Sequence, residues 1–281
     1  MSAEEIPVLE ARGVSKVYRS RQGSLFGERR EVQALADVSV QVRRGESLGI
    51  VGESGSGKST LARLLLALEQ PSEGEILFEG SVVSGRPERE LAGLRRSVQV
   101  VFQDPMSSLD PRMRTRVAIS EPLRALKIPG DHRARVRELL DAVGLPPEAA
   151  DRYPHEFSGG QRQRIAIARA LAPGPEVLLA DEAVSALDVS VRAQVLNLLN
   201  RLIGEFGLTL VFISHDLSVI RYMCRRVVVL YRGRIVESGE TEEVYERPQH
   251  SYTQALLAAI PRIGEPLGEA PPQLEQIASE A

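Results

Sequence analysis

Two glycine-rich segments of this 281-residue chain have the residue types that bind phosphate. The first reads GESGSGKST and matches the pattern G-x-x-x-x-G-K-[ST] between a predicted strand and a predicted helix. In that pattern backbone N–H groups surround a polyphosphate, Lys58 reaches its terminal phosphates and Ser59 ligates Mg²⁺. The sequence therefore predicts a nucleotide site whose loop, the P-loop, consists of Gly52, Glu53, Ser54, Gly55, Ser56, Gly57, Lys58, Ser59 and Thr60.

The second segment reads FSGGQRQRIAIARAL from Phe157 and begins another predicted helix. A serine followed by two glycines leaves backbone N–H groups at the positive end of the helix dipole, which favours a bound anion. One nucleotide needs one phosphate cradle, so the role of a second cradle must be explained. The residues of this SGGQ segment are Ser158, Gly159, Gly160 and Gln161.

Two adjacent carboxylates follow an apolar strand in the stretch VLLADEAVSALD. In a P-loop ATPase the first acid, here Asp181, holds Mg²⁺, usually through water, and the second, here Glu182, polarises the attacking water. An acidic surface turn is the alternative interpretation of these two residues taken alone.

Two more predicted strands end at polar residues, VQVVF at Gln103 and LTLVFI at Ser214 and His215. Ligands of open α/β sheets bind outside the carboxyl ends of the strands. We therefore expect the P-loop, Gln103, the two acids and His215 to lie along one edge of a sheet.

Short β-branched runs alternate with longer helical patterns, which is typical of an α/β fold with a largely parallel sheet. From residue 104 to about Tyr153 no strand is predicted, which indicates a helical insertion. The predicted strands are Val8–Tyr18, Val32–Val42, Ser47–Val51, Glu75–Phe78, Val98–Phe102, Glu176–Ala180, Leu208–Ile213 and Arg226–Tyr231. The predicted helices that flank the motifs are Lys58–Leu68, the stretch ending at Leu171, and Ser190–Phe206.

Composition excludes several classes of protein. The net charge of −3 gives no electrostatic basis for a nucleic-acid partner. A single cysteine, Cys224, excludes an internal disulfide and a cysteine-ligated metal site. The acidic N-terminus is unlike a signal peptide, and no apolar run is long enough to cross a bilayer. We therefore expect a cytoplasmic protein whose membrane role comes through a partner.

The order and spacing of the P-loop, Gln103, FSGGQ, LLADE, SALD and SHD resemble those of ATP-binding subunits of ABC transporters, over about Val8 to Pro261. The resemblance implies ATP and Mg²⁺ as cofactors and a P-loop NTPase core with a mostly parallel sheet, an N-terminal antiparallel β-subdomain and an inserted helical subdomain. It also implies roles for individual residues: adenine stacking on Tyr18, sensing of the γ-phosphate and Mg²⁺ by Gln103, general-base catalysis by Glu182, orientation of the γ-phosphate and water by His215, and a subunit contact at Asp188.

Three longer stretches resemble the ATPases of oligopeptide, dipeptide and nickel importers: VFQDPMSSLDPRM, DEAVSALDVSVRAQVLNLL and RPQHSYTQALLAAIP. The hairpin loop containing SLFG resembles the second of the two ATPases of such systems. Ala183 and Ser251 depart from the family pattern, since proline is common at both positions. The resemblance implies an ATPase domain over 8–246 with its helical subdomain at about 104–157, a C-terminal extension at 247–261 and a flexible tail at 262–281.

These features favour an importer ATPase for peptides or similar small solutes, located at the cytoplasmic face of the membrane. The partners implied are a second related ATPase in a heterodimer or homodimer, two membrane permeases, and indirectly a solute-binding protein. Segment Asp104–Arg116 resembles the surface on which permeases dock. An ATPase of a soluble phosphonate lyase complex is the alternative, whereas DNA-repair and translation ATPases would need a long coiled coil or a second ATPase domain.

Overall fold

A computed structural model describes residues 6–21, 29–104 and 109–259. The predictions on the SLFG loop, on residues 105–108 of the docking segment and on the tail lie outside the described residues. The chain divides into two compact units. The first comprises Met1–Arg43, Ser47–Ser84 and Phe212–Ala281, and the second comprises Arg44–Glu46 and Gly85–Val211.

The described elements alternate between strands and helices, as the sequence pattern predicts. The strands are β1 (Leu9–Arg21), β2 (Arg29–Val42), β3 (Ser47–Val51), β4 (Glu73–Phe78), β5 (Ser81–Val82), β6 (Val98–Val101), β7 (Val177–Asp181), β8 (Thr209–Ser214), β9 (Arg226–Tyr231) and β10 (Arg234–Glu240). The α-helices are α1 (Lys58–Leu65), α2 (Ala92–Ser97), α3 (Thr115–Ala125), α4 (His132–Ala142), α5 (Gly159–Leu171), α6 (Val189–Phe206), α7 (Leu217–Met223), α8 (Thr241–Glu246) and α9 (Ser251–Ala258).

The first unit contains an antiparallel sheet with the strand order β2-β1-β4-β5. Its longest pairing runs from Leu9 opposite Val42 to Arg21 opposite Arg29. In β2 the buried Val38 and Val40 alternate with exposed neighbours, so the sequence period of two selects the core face. This sheet is the predicted N-terminal antiparallel part of the fold.

A second group of strands in the first unit holds the P-loop. β3 is buried almost throughout and pairs in parallel with β9, while β10 pairs antiparallel with β9. A strand buried on both faces reads as a continuous apolar run, as SLGIV does. The P-loop therefore follows a buried strand and leads directly into α1.

The second unit combines a parallel strand pair with the helical insertion. β6 and β7 run parallel, from Val98 opposite Val177 to Val101 opposite Ala180. Among the described residues from 104 to 153 there is no strand, as predicted. Helix α4 begins after Asp131, whose carboxylate accepts hydrogen bonds from the N–H groups of Arg133 and Ala134 at 2.9 and 3.1 Å. β8 spans the division between the units, and the fold as a whole is the predicted α/β type.

The predicted bounds are correct to within a few residues, with three informative differences. β10 was not predicted, because its sequence RIVESGE has no alternating apolar pattern. Helix α1 ends at Leu65 rather than Leu68, since Ala67 lies in the left-handed region with a φ of 49°. β7 extends to include Asp181. None of the helices in the described ranges combines the length and apolar character needed to cross a bilayer.

Candidate nucleotide site and SGGQ segment

The glycines of the P-loop are required by close packing within the first unit. A Cβ on Gly52 would lie 2.1 Å from the carbonyl oxygen of Leu230, and one on Gly57 would lie 2.5 Å from that of Ala34. Gly57 also has a φ of 107°, which other residues rarely adopt. The turn after β9 is hydrogen-bonded to the P-loop, since the N–H of Gly233 donates to the carbonyl of Ser56 at 2.9 Å. The loop is therefore a preformed structure.

Lys58, the first residue of α1, is buried and held by the loop itself. Its Nζ donates to the carbonyl oxygens of Gly52 and Glu53 at 2.7 and 2.8 Å. The same Glu53 carbonyl also accepts from the N–H of Ser56 at 3.1 Å. The ammonium group is thus fixed by backbone carbonyls, which compensates for part of its desolvation on burial.

The donor set of the loop fits a polyphosphate. Gly57 precedes α1 and no side chain caps the helix, so the positive end of the helix lies beside the charge of Lys58. Gly55 has a φ of 82°, and no atom lies within 4 Å of the position of a Cβ there. The buried hydroxyl of Ser56 has no hydrogen-bond partner among the described residues. This loop can therefore surround phosphate groups with backbone donors and one cation.

Tyr18 lies beside the P-loop helix in the first unit. Its hydroxyl donates to Glu69 Oε2 at 2.7 Å and also hydrogen-bonds Thr60 of α1, and the Nζ of Lys16 lies 5.2 Å from the centre of its ring. Burial and the bond to Glu69 raise the pKa of Tyr18. The ring is therefore held in a fixed, neutral form next to the phosphate loop, although the sequence pattern did not predict Glu69 or Lys16 as its partners.

His215 occupies the turn between β8 and α7. The N–H of Asp216 donates to Ser214 Oγ at 2.9 Å, and Asp216 Oδ1 caps α7 by accepting from the N–H of Ser218 at 2.9 Å. These two bonds hold the backbone on both sides of His215, whose side chain is exposed. A histidine held in this way is suited to contact a ligand at the end of the strand.

In the second unit Gln103 and the two acids lie at the same edge of the parallel pair. Val101 is opposite Ala180, so Gln103, just after β6, and Asp181, the last residue of β7, lie at the carboxyl ends of neighbouring strands. Gln103 is exposed, and Asp181 and Glu182 are half-buried. The predicted grouping is confirmed for this pair of strands, and its extension to the P-loop and His215 stays a prediction.

Glu182 has a positive φ of 47°, an uncommon conformation for a residue with a side chain. Its carbonyl oxygen accepts from the N–H and the hydroxyl of Ser185 at 3.1 and 3.0 Å. These bonds stabilise the turn that follows β7. Such strained positions cluster at functional sites.

The SGGQ segment begins α5 through a capping box. Ser158 Oγ accepts from the N–H of Gln161 at 3.3 Å, and Gln161 Oε1 accepts from the N–H of Ser158 at 3.0 Å. A Cβ on Gly160 would lie 2.4 Å from Cγ1 of Val191, so this glycine permits close packing against α6. The segment is therefore a rigid helix start.

The exposed Asp188 lies immediately before α6, the helix against which the SGGQ segment packs. Its carbonyl accepts from the N–H of Arg192 at 2.7 Å, and the guanidinium of Arg192 lies 3.4 Å from the carbonyls of Ser185 and Leu187. The structure thus brings Asp188 and the SGGQ segment together within the second unit.

The residues predicted to hold Mg²⁺ are oxygen donors, as a hard cation requires. They are Ser59 in the first unit and Gln103 and Asp181 in the second. Among the described residues there is no group of three or more histidine, cysteine or acidic side chains that could hold a metal ion by itself. Because Mg²⁺ in nucleotide sites is held by one or two carboxylates together with substrate phosphates, this sparse donor set fits it.

Sequence reasoning missed the contacts that distant segments make with the P-loop, among them one from the C-terminal part of the chain. The hydroxyl of Tyr252, in α9, accepts a hydrogen bond from the N–H of Glu53 at 3.0 Å. No spacing rule joins positions so distant in sequence, so no local pattern indicated this contact.

Two family models match the chain. The model described as ABC transporter matches residues 35–185, and the model of the oligopeptide/dipeptide transporter C-terminal region matches residues 236–280. The first match includes the P-loop, the SGGQ segment and both acids, and the second includes Tyr252.

Curated relatives are similar over nearly the whole chain. A protein of Brucella ovis named as a peptide import ATP-binding protein is 49% identical over 259 residues, which cover 92% of this chain and 80% of that protein. The glutathione import ATP-binding protein GsiA of Escherichia coli is 52% identical over 267 residues. These residues cover 94% of this chain but only 43% of GsiA, which is the longer protein.

Solved structures agree in fold. An ATP-binding cassette in a dimeric post-hydrolysis state bound to ADP and Pi matches with a TM-score of 0.73 and 31% identity, covering 83% of this chain and 98% of that one. The protein cbiO1 of Clostridium perfringens, part of an ABC transporter complex, matches with a TM-score of 0.73 and 30% identity, covering 86% and 92%. The chain therefore belongs to the ABC transporter family as an ATP-binding, ATP-hydrolysing subunit.

Proposed function

We propose that this chain hydrolyses ATP to drive the import of peptides or similar small solutes through separate membrane permeases. The observation that carries the proposal is the match of residues 236–280 to the oligopeptide/dipeptide transporter C-terminal region, on the same chain as the ABC match. The names of the relatives support the solute class, since glutathione is itself a small peptide. None of these relatives favours the phosphonate lyase alternative.

The P-loop residues and Tyr18 form the nucleotide-binding part of the proposed mechanism. The N–H groups at the start of α1 and the ammonium of Lys58 bind the terminal phosphates, and adenine stacks on Tyr18. Ser59, Gln103 and Asp181 would hold Mg²⁺. When bound, the ion neutralises negative charge on the phosphates and so favours attack at the γ-phosphorus.

Three side chains carry the proposed chemistry. Glu182 accepts a proton from the attacking water, while His215 orients both this water and the γ-phosphate, and Gln103 senses the γ-phosphate. The water oxygen forms a bond to the γ-phosphorus, and the bond to the bridging oxygen of ADP breaks, releasing ADP and inorganic phosphate. The left-handed backbone of Glu182 supports a functional role for this position.

The second cradle acts on a second nucleotide in this proposal. Ser158, Gly159, Gly160 and Gln161 cap the γ-phosphate bound by a partner ATPase, and the partner's equivalent segment caps the ATP on this chain. Asp188 lies at the contact between the two subunits. The capping box supports this role, because it fixes the start of α5 while its two hydrogen bonds do not use the N–H groups of Gly159 and Gly160 at the positive end of the helix.

The partner is a second ABC ATPase, either a related chain in a heterodimer or another copy of this one. Two permeases anchor the pair at the cytoplasmic face of the membrane, and a solute-binding protein delivers the solute to the permeases. The docking surface for the permeases includes segment Asp104–Arg116, of which residues 105–108 are outside the described residues. No nucleic acid takes part.

A transport assay with the products of neighbouring genes tests the function. We expect the chain to co-purify with two permeases, and proteoliposomes of this complex to take up labelled di- and tripeptides only when ATP is on the side of the ATPases. Lys58→Ala in this chain is the matched control and should abolish that uptake. Co-purification with soluble enzyme subunits and without permeases would contradict the proposal.

A further inference from the structure

The C-terminal extension of this chain contacts its own P-loop through Tyr252. The side chain of Tyr252 is 1% exposed, and its ring stacks on that of Tyr231 with 4.1 Å between the ring centres. Its hydroxyl oxygen accepts from the N–H of Glu53 at 3.0 Å. This aromatic side chain is therefore packed against the end of β9 and hydrogen-bonded to the second residue of the P-loop.

The N–H of Glu53 and the carbonyl of Gly52 belong to one peptide unit. In a planar trans peptide these two groups point in opposite directions, and the described chain contains no cis peptide. The Gly52 carbonyl accepts from Lys58 Nζ at 2.7 Å on one side, while the Glu53 N–H donates to Tyr252 on the other. Tyr252 and Lys58 thus hold opposite ends of the same peptide unit.

The peptide unit between Gly52 and Glu53 needs a constraint on its rotation, because the backbone of a glycine is little restricted by sterics. No side chain fits at Gly52, where a Cβ would lie 2.1 Å from the Leu230 carbonyl, so the position keeps the conformational freedom of glycine. A buried N–H without a partner costs free energy, and rotation of the peptide would move the Gly52 carbonyl away from Lys58. The Tyr252 hydroxyl opposes that rotation.

We propose that Tyr252 is a positioning residue for ATP binding, which orients the Gly52–Glu53 peptide and through it the ammonium group of Lys58. The extension therefore contributes to the geometry of the nucleotide site of its own chain.

Further contacts fix the start of the extension in place. Glu237 of β10 accepts from the N–H groups of Gln249 and His250 at 2.8 and 3.1 Å. His250 Nδ1 in turn caps α9 by accepting from the N–H of Tyr252 at 3.1 Å. Burial raises the pKa of Tyr252 to about 12, so its hydroxyl stays neutral at physiological pH. The position of the hydroxyl is thus set by β10 and α9, and its protonation state does not vary.

The test compares Tyr252→Phe with Tyr231→Phe by calorimetric titration of the purified chain with ATP. Both variants keep the stacked rings, but only Tyr252→Phe removes the oxygen that binds the Glu53 N–H. We expect Tyr252→Phe to weaken ATP binding roughly 2- to 10-fold, the effect of one lost hydrogen bond, with an unchanged number of sites. Tyr231→Phe should bind ATP like the unmodified chain, since its hydroxyl forms no hydrogen bond to another described residue.

A double variant tests whether the effect passes through Lys58. In a Lys58→Ala background, Tyr252→Phe should cause no further loss of affinity for a fluorescent ATP analogue. The proposal is overturned by unchanged binding in Tyr252→Phe, by an equal loss in Tyr231→Phe, or by the same additional loss when Lys58 is absent.

Discussion

At the scale of single residues, Glu182, the proposed general base, has an unusual backbone conformation. Its φ of 47° is sustained by the two hydrogen bonds from Ser185 to its carbonyl. A left-handed conformation at a non-glycine residue costs free energy and persists only where the surroundings determine it. The backbone of Glu182 is thus held in a conformation that a continuing extended strand would not have.

Replacing Glu182 by Gln tests the assignment of the general base. The amide has the same size but accepts no proton, so Glu182→Gln should keep ATP affinity and reduce turnover by about 10²–10⁴-fold. The measurement is hydrolysis at saturating ATP together with ATP binding. Lys58→Ala is the contrasting variant and should weaken binding itself, and turnover near the normal rate in Glu182→Gln would show that another residue is the base.

Gly160 shows how packing limits the choice of variants. Because a Cβ at this position would lie 2.4 Å from Val191, Gly160→Asp would disturb the packing of α5 on α6 as well as any contact with phosphate. Ser158 is the better position, since its side chain is exposed. Replacing Ser158 removes the helix cap, at a cost of about 1 kcal/mol, without inserting atoms into the core.

At the scale of elements, β10 and the extension are joined by a carboxylate. Burial alone would raise the pKa of Glu237, but the hydrogen bonds it accepts, including those from the N–H groups of Gln249 and His250, outweigh this effect and hold its pKa below the ordinary value of 4.5. A carboxyl group whose pKa is lowered by folding stabilises the folded state above its unfolded pKa. That stabilisation is lost as the pH falls through the folded pKa.

The stability of Glu237→Ala should therefore depend on pH in a defined direction. At pH 7 we expect the variant to unfold at a lower temperature than the unmodified chain. The difference should shrink as the pH falls below 4.5, where the carboxylate of the unmodified chain takes up its proton. Glu240→Ala, at an exposed position of the same strand, is the matched control for thermal unfolding, and an equal and pH-independent loss in both variants would contradict the assignment.

The arginines around the start of α3 have different surroundings. Arg114 and Arg116 both pair with Asp151, and the Arg114 guanidinium also lies 5.2 Å from the centre of the Tyr153 ring. Arg112 is exposed and forms no ion pair with another described residue. Charge reversal at Arg112 therefore changes the surface without breaking a contact inside the second unit.

At the scale of the whole molecule, the charge reversal Arg112→Glu tests the proposed docking of permeases. If Pro111–Arg116 belongs to the docking surface, Arg112→Glu should lower solute uptake in cells while leaving the basal ATPase rate of the chain largely unchanged. Arg89→Glu reverses a charge on another exposed side chain and serves as the control. Normal assembly and normal transport by Arg112→Glu would exclude this surface.

The two phosphate cradles lead to a prediction about subunits. Ser158→Arg should leave ATP binding by the isolated chain almost intact but block closure of this cradle over the partner's ATP, and with it hydrolysis at the partner's P-loop. Ser158→Ala, which removes the cap without adding bulk, separates the loss of capping from obstruction of the cradle.

A mixed assembly decides between action within one chain and action between chains. Ser158→Arg in this chain is combined with a partner whose P-loop lysine is replaced by Ala. If each cradle serves the opposite nucleotide, the site on this chain's own Lys58 still hydrolyses ATP. If the cradle serves its own chain, both sites are inactive.

Local sequence patterns were sufficient to predict the functional motifs and most elements. The P-loop connects β3 to the first turn of α1, the two acids lie at the carboxyl end of β7, and Ser158 caps α5, because each of these features depends on residues close together in the chain. The periodic spacing of apolar residues also predicted the positions of the strands and of α6 to within a few residues.

Only the tertiary structure revealed contacts between residues far apart in sequence. Gly52 must be a glycine because of the Leu230 carbonyl, Gly160 because of Val191, and the Glu53 peptide is held by Tyr252. The irregular strand β10 forms because β9 is beside it to pair with. No local sequence pattern indicates these contacts. The atoms that surround each position, and its hydrogen-bond partners, belong to other segments that come close only once the chain has folded.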